Sequence, residues 1–203
     1  SVVSANTDGL EYFCHRDKVD LAETIIFDLE LISGYNMEHG EYKALHAKDV
    51  NNYVAVYDGY VKSKGIYAET TLSKGRSTPI VYEAIRKYLL DGTSLEFTIT
   101  DCRNINQFVS ARTVKGGGVY KGAYLGKMAR WYYAKNGDKI TYSNNGNLVP
   151  KTAEGNGVKP MMDLLDFDYV EDLDYDWYFN EAVSKLKDLG VDYIQRKEDA
   201  APA

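Results

Sequence analysis

One carboxylate, Asp8, stands between two short apolar runs in the stretch Ser4-Ala5-Asn6-Thr7-Asp8-Gly9, with Leu10 to Cys14 following at once. Asn, Asp and Gly there are turn formers, so the two runs read as strands of a hairpin with Asp8 at its tip. An acid held on a turn between strands presents a hard oxygen ligand to a magnesium ion. The same residue types also make a good turn with no further role. A second group is cationic: Arg103, Arg112, Lys115, Lys121, Lys127, Arg130, Lys135 and Lys139 are interleaved with glycines and with Tyr120, Tyr124, Trp131, Tyr132 and Tyr133. Arg112-Thr113-Val114-Lys115 followed by Gly116-Gly117-Gly118 would let backbone amides and cations approach phosphates together. The triple glycine is not followed by Gly-Lys-Ser/Thr, which argues against a nucleotide loop. His15, His39, His46, Cys14 and Cys102 fit no common zinc spacing.

The net charge of −6 over 203 residues hides a strong segregation. Residues 1–102 carry a net −6, residues 103–160 a net +8, with ten bases against two acids, and residues 161–203 a net −8. A polyanion senses the local field rather than the total, so the middle segment is attractive to nucleic acid. No apolar run is long enough to span a bilayer and no signal peptide is visible. Two distant cysteines suggest a reduced, cytoplasmic setting, host cytoplasm if the source is a phage. A start within a strand, without Met, suggests a fragment or one piece of a split protein.

The positioning elements follow from pattern. Asp17 reads as the N-cap of a helix to about Ser33, stopped by Gly34, with Val19, Ala22, Ile25, Ile26, Leu29 and Ile32 on one face, expected to pack under a sheet. Tyr42 to Ala47 reads as a strand. Tyr53 to Tyr57 and Tyr60 to Lys62 flank the hairpin signal Asp58-Gly59. Ile66 to Ala68 reads as extended. Thr78-Pro79 opens a helix closed by Asp91-Gly92, and Asp101 would cap another to about Ala111. Met128 to Tyr133 and Lys139 to Tyr142 read as strands around Asn136-Gly137. The acidic stretch 163–176 reads as a solvated linker, able to dock on the basic segment. A last helix from Tyr175 to Leu189 carries Phe179, Ala182, Val183, Leu186 and Leu189 as its stripe and stops at Gly190. Residues 196–203 read as a disordered tail.

The order of these features resembles the C-terminal portion of family B DNA polymerases of bacteriophage-like type. Residues 4–9 are similar to motif C, usually Tyr-Gly-Asp-Thr-Asp-Ser, with Asn6 where the family has its first acid. Then come a helix, the segment Lys48-Asp49-Val50-Asn51-Asn52-Tyr53 in the place of a Lys-Lys-Arg-Tyr motif, and Lys64-Gly65-Ile66. Arg76-Ser77-Thr78-Pro79 opens the next helix and Asp176-Trp177-Tyr178 begins a late one. The resemblance covers roughly the whole chain, most closely residues 1–95.

What the resemblance implies is an α+β fold: an antiparallel palm hairpin and sheet with packed helices over 1–75, then a mostly helical thumb with a small β-hairpin insertion over 76–195. Asp8 would be a ligand of a two-ion Mg2+ site, with Asn6 and Thr7 around it. Lys48, Asn51, Asn52, Tyr53, Lys64 and Arg76 would contact DNA near the primer end, where minor-groove acceptors occur on every base pair. Arg112, Lys115, Lys121, Lys127 and Arg130 would grip the duplex backbone. The implied activity is DNA synthesis from dNTP on primer–template DNA. It requires an N-terminal region or a partner subunit bearing motifs A and B, which this sequence lacks. The alternative is a non-catalytic DNA-binding or assembly subunit derived from a polymerase, an option that Asn6 favours.

Overall fold

The computed structural model describes residues 2–5, 9–69, 77–152, 154–162 and 170–194. Asn6, Thr7, Asp8, Arg76, residues 163–169 of the acidic stretch and the tail 195–203 lie outside the described residues. The fold is mixed α and β, with antiparallel sheets and four α-helices among the described residues. None of those helices is long and apolar enough to cross a membrane.

Strands β1 (Val2–Ala5) and β2 (Leu10–Tyr12) form an antiparallel hairpin, with Ala5 opposite Leu10. A 3-10 turn at Arg16–Lys18 leads into α1 (Val19–Ser33), which Gly34 closes in the left-handed region at φ 72°. The His15 side chain caps the short turn, and Asp17 lies inside it. The expected packing of α1 under a sheet is not found: none of its residues is buried, and Ile25 and Ile32 are 59% and 85% exposed. Periodicity identifies an apolar face but does not identify what covers it.

Strands β3 (Ala44–Asp49), β4 (Asn52–Val56) and β5 (Val61–Lys64) make a three-stranded antiparallel meander, the last two joined through Asp58-Gly59 as the sequence indicates. Gly65–Tyr67 forms a 3-10 turn rather than an extended run. Pro79 opens α2 (Pro79–Asp91), which Gly92 ends; Thr78 takes the cap position, but its side chain makes no cap bond. Ser94 caps α3 (Leu95–Asp101), so Asp101 ends that helix instead of starting one.

The largest departure follows. Residues 110–160 build a five-stranded antiparallel sheet in the order β10-β7-β6-β8-β9, in place of a mostly helical thumb with a small hairpin. Its members are β6 (Ser110–Tyr120), β7 (Ala123–Asp138), β8 (Thr141–Asn144), β9 (Asn147–Pro150) and β10 (Val158–Pro160). Asn136-Gly137 lies within β7 and is no turn; the turns fall at Lys121-Gly122 and Asn145-Gly146, all four residues at positive φ, as tight hairpins require. The glycine run inside β6 has a packing reason. A Cβ on Gly117 would lie 2.2 Å from the ring of Tyr124.

Helix α4 (Tyr175–Asp188) closes the core with α2 and α3. The Tyr178 hydroxyl, fully buried, donates to the Phe108 carbonyl at 2.8 Å and accepts from the Tyr133 amide at 2.9 Å. The described part of the acidic stretch is no solvated linker. Asp172 pairs with Lys159 and accepts from the Tyr132 hydroxyl at 3.0 Å, while buried Asp174 caps α4.

Candidate nucleic-acid interface

Two groups of expected contact residues come from different sheets. The first surrounds the β3–β4 turn. Asp49 accepts from the Asn51 amide at 2.9 Å, and its two carboxylate oxygens accept from Asn52 Nδ2 at 2.8 and 2.9 Å. These bonds, chiefly that from the Asn51 amide, hold the Asp49 carboxyl below the usual range. Asn52 Oδ1 accepts from the Ile66 amide at 2.9 Å. Gly65 makes this closure possible: its φ is +67°, and a Cβ there would lie 2.2 Å from both Asn51 O and Asn52 Oδ1. Donor and acceptor of the Asn52 carboxamide are therefore both engaged within the chain, as a clamp between the β3–β4 turn and the Lys64-Gly65-Ile66 segment. The side chain of Asn51 remains at the surface.

The clamp sets two neighbours. Tyr53 and Lys64 are directly opposed across β4 and β5, and the Lys64 ammonium lies 5.9 Å from the centre of the Tyr53 ring. A cation over an aromatic face is an electrostatically favourable pair that still offers its charge to solvent. Lys48 is placed differently. Its ammonium is 2.7 Å from Asp188 at the end of α4, so a carboxylate already occupies the position that a phosphate was expected to take.

The second group lies on the long β6–β7 hairpin. Arg112, Lys115 and Lys127 are exposed, and Lys121 sits in the turn with its ammonium 5.6 Å from the Tyr120 ring. None of these four forms an ion pair among the described residues. Arg130 is half-buried and donates through Nη1 to the Met162 carbonyl at 3.4 Å, which makes it a tie between β7 and the segment after β10.

Tyr82 of α2, which sequence reasoning passed over, feels the charge of a residue from each group. Burial and the Glu181 carboxylate push its phenol up, while Arg112 and Lys48 oppose them. Asp49 was also missed as a structural residue. An Asx turn over Asp-Val-Asn-Asn was the available signal, since Asp readily accepts from the amide two positions on.

Among the described residues no group of three or more His, Cys, Asp and Glu side chains is placed to hold a metal ion; Asp8, Asn6, Thr7 and Arg76 lie outside those residues. No protein-family model, curated protein or solved structure matches the chain.

Proposed function

We propose that the chain is the C-terminal part of a DNA-directed DNA polymerase of the family B type, working with a second region or polypeptide that carries motifs A and B. Asp8 supplies one metal-binding acid, and the basic β6–β7 hairpin holds primer–template duplex. One observation carries the reading. The β1–β2 hairpin and the helix that follows it leave apolar side chains exposed among the described residues: Val2 and Leu10 are 64% and 60% exposed, and Ile25 and Ile32 of α1 59% and 85%. Exposed apolar side chains of this kind mark a protein–protein interface, and here they flank Asp8 in sequence. A lone carboxylate does not hold two divalent ions, so the companion acid has to arrive with whatever covers this face. Charge segregation supports the second half of the proposal, because four cations on one hairpin form no ion pair among the described residues.

The paired Mg2+ ions, when held between Asp8 and the companion acid, would activate the primer hydroxyl and stabilise the leaving pyrophosphate. Asn6 contributes an amide where the family has an acid, which removes one negative charge beside the ions. The test is primer extension by the assembled enzyme. Asp8→Ala is expected to abolish incorporation while duplex binding persists; extension at the unmodified rate refutes the assignment. Duplex binding without any extension by the unmodified assembly favours the non-catalytic DNA-binding subunit instead.

A further inference from the structure

The outward face of the three-stranded sheet carries a lysine that the candidate interface does not include. Directly opposed residues in antiparallel strands point to the same side. Leu45, Ala55 and Lys62 therefore form one rank across the sheet, and Ala47, Tyr53 and Lys64 form the next. The other side turns Val54 and Val56 into the core. Lys62 and Lys64 are exposed while Val61 and Ser63 beside them are half-buried, as alternation demands. The neighbouring lysines Lys43 and Lys48 are engaged with Asp58 and Asp188, whereas Lys62 and Lys64 form no ion pair among the described residues.

Two like charges two positions apart on one strand, their Cα atoms about 6.7 Å apart, repel each other. The arrangement is relieved by an anion of regularly spaced charge. On the central strand the two ranks carry Ala55, which is buried, and Tyr53, which stands beside Lys64. The Tyr53 ring, with the Lys64 ammonium 5.9 Å from its centre, offers an apolar surface next to the two cations.

We propose that Lys62 and Lys64 take neighbouring phosphates of one strand of bound DNA, with Tyr53 against the adjoining sugar, so that this sheet face is a second backbone contact separate from the β6–β7 hairpin. The inference rests on the DNA-holding part of the proposed function and adds Lys62 to it. The test is fluorescence anisotropy of a labelled primer–template duplex titrated with the full chain between 50 and 200 mM salt, a range over which loss of about one phosphate contact changes the log–log salt slope by about 0.9. Lys62→Ala is expected to flatten the slope by about 0.9 and the Lys62→Ala, Lys64→Ala pair by about 1.8, equally for unrelated DNA sequences. Lys62→Arg should keep the original slope, and the thermal midpoint should stay fixed in all variants. An unchanged slope in Lys62→Ala, with the unmodified chain binding normally, overturns the second contact and leaves the hairpin grip standing. Failure of the unmodified chain to bind duplex even at the lowest salt overturns both.

Discussion

The Lys48 ammonium and the Asp188 carboxylate meet at 2.7 Å, tying the last turn of α4 to β3 across 140 positions of sequence. Close by, the buried Tyr67 hydroxyl donates to the Lys185 carbonyl at 3.0 Å. The two bonds join the three-stranded sheet to the carboxy-terminal helix. Lys48 is thus part of the scaffold that fixes the three-stranded sheet against α4.

The pair carries a pH dependence of definite sign. The hydrogen bond from Lys48, reinforced by its charge, holds the Asp188 carboxyl below its ordinary value. A group whose folded value is depressed contributes stability above the unfolded value and loses it as pH falls through the folded one. The side chains are 42% and 34% exposed, so solvent screening limits the coupling to below about 1 kcal/mol. A double-mutant cycle of Lys48→Ala with Asp188→Asn, read by urea unfolding, should give about 0.5 kcal/mol near neutrality. The coupling should vanish in strong acid; a coupling that survives there would contradict the assignment.

The Asn52 clamp predicts a stability effect where a free DNA-contacting side chain would show none. Asn52→Ala removes the acceptor of the Ile66 amide and both side-chain donors to Asp49. Urea unfolding should register a loss of about 1–2 kcal/mol. Gly65→Ala should cost at least as much, since the added Cβ meets backbone oxygen at 2.2 Å in a left-handed conformation. An Asn52→Ala protein as stable as the parent would show that the carboxamide is not a structural tie.

Tyr178→Phe tests the core with one oxygen atom. Its removal leaves the buried Phe108 carbonyl and Tyr133 amide without a partner, while the ring contacts with Phe108 and Trp177 remain. Each orphaned buried group costs about 1–3 kcal/mol, so the unfolding midpoint in urea should fall by the equivalent of roughly 2–4 kcal/mol, with the slope unchanged. A loss below about 0.5 kcal/mol would mean that water reaches the site.

The apolar face of α1 predicts the reverse pattern. Ile25→Glu and Ile32→Glu bury no charge in the chain as it stands, because both positions lie on the uncovered face. Thermal unfolding should be unaffected within about 0.5 kcal/mol. Static light scattering should show less self-association, and reconstitution with the companion polypeptide should fail. A large drop in thermal stability would instead mean that the helix is packed within the chain.

What the sequence made legible was mostly short-range. Asp58-Gly59, Pro79 and the stops at Gly34, Gly92 and Gly190 act through backbone angles of one or two residues, and each sits where such angles are needed. The five-stranded sheet was hidden because its strands are full of glycine, which weakens a strand signal. There the glycines answer to distant partners: Gly117 to the ring of Tyr124, and Gly137 to the backbone of Gly157, 2.4 Å from where a Cβ would stand. Asn136-Gly137 imitated a turn for the same reason. The cations of the β6–β7 hairpin were visible as composition. The engagement of Lys48 with Asp188, and of Asn52 with Asp49 and Ile66, depended on contacts that no local pattern encodes.

The uncovered hairpin and α1 also bear on how much of this protein a cell can keep. Exposed apolar side chains invite clumping and capture by proteases, so under the proposed function copies made in excess of a companion would be short-lived. Under the proposed function, supply of the companion would then set the usable amount of this chain, and matched synthesis of the two would follow.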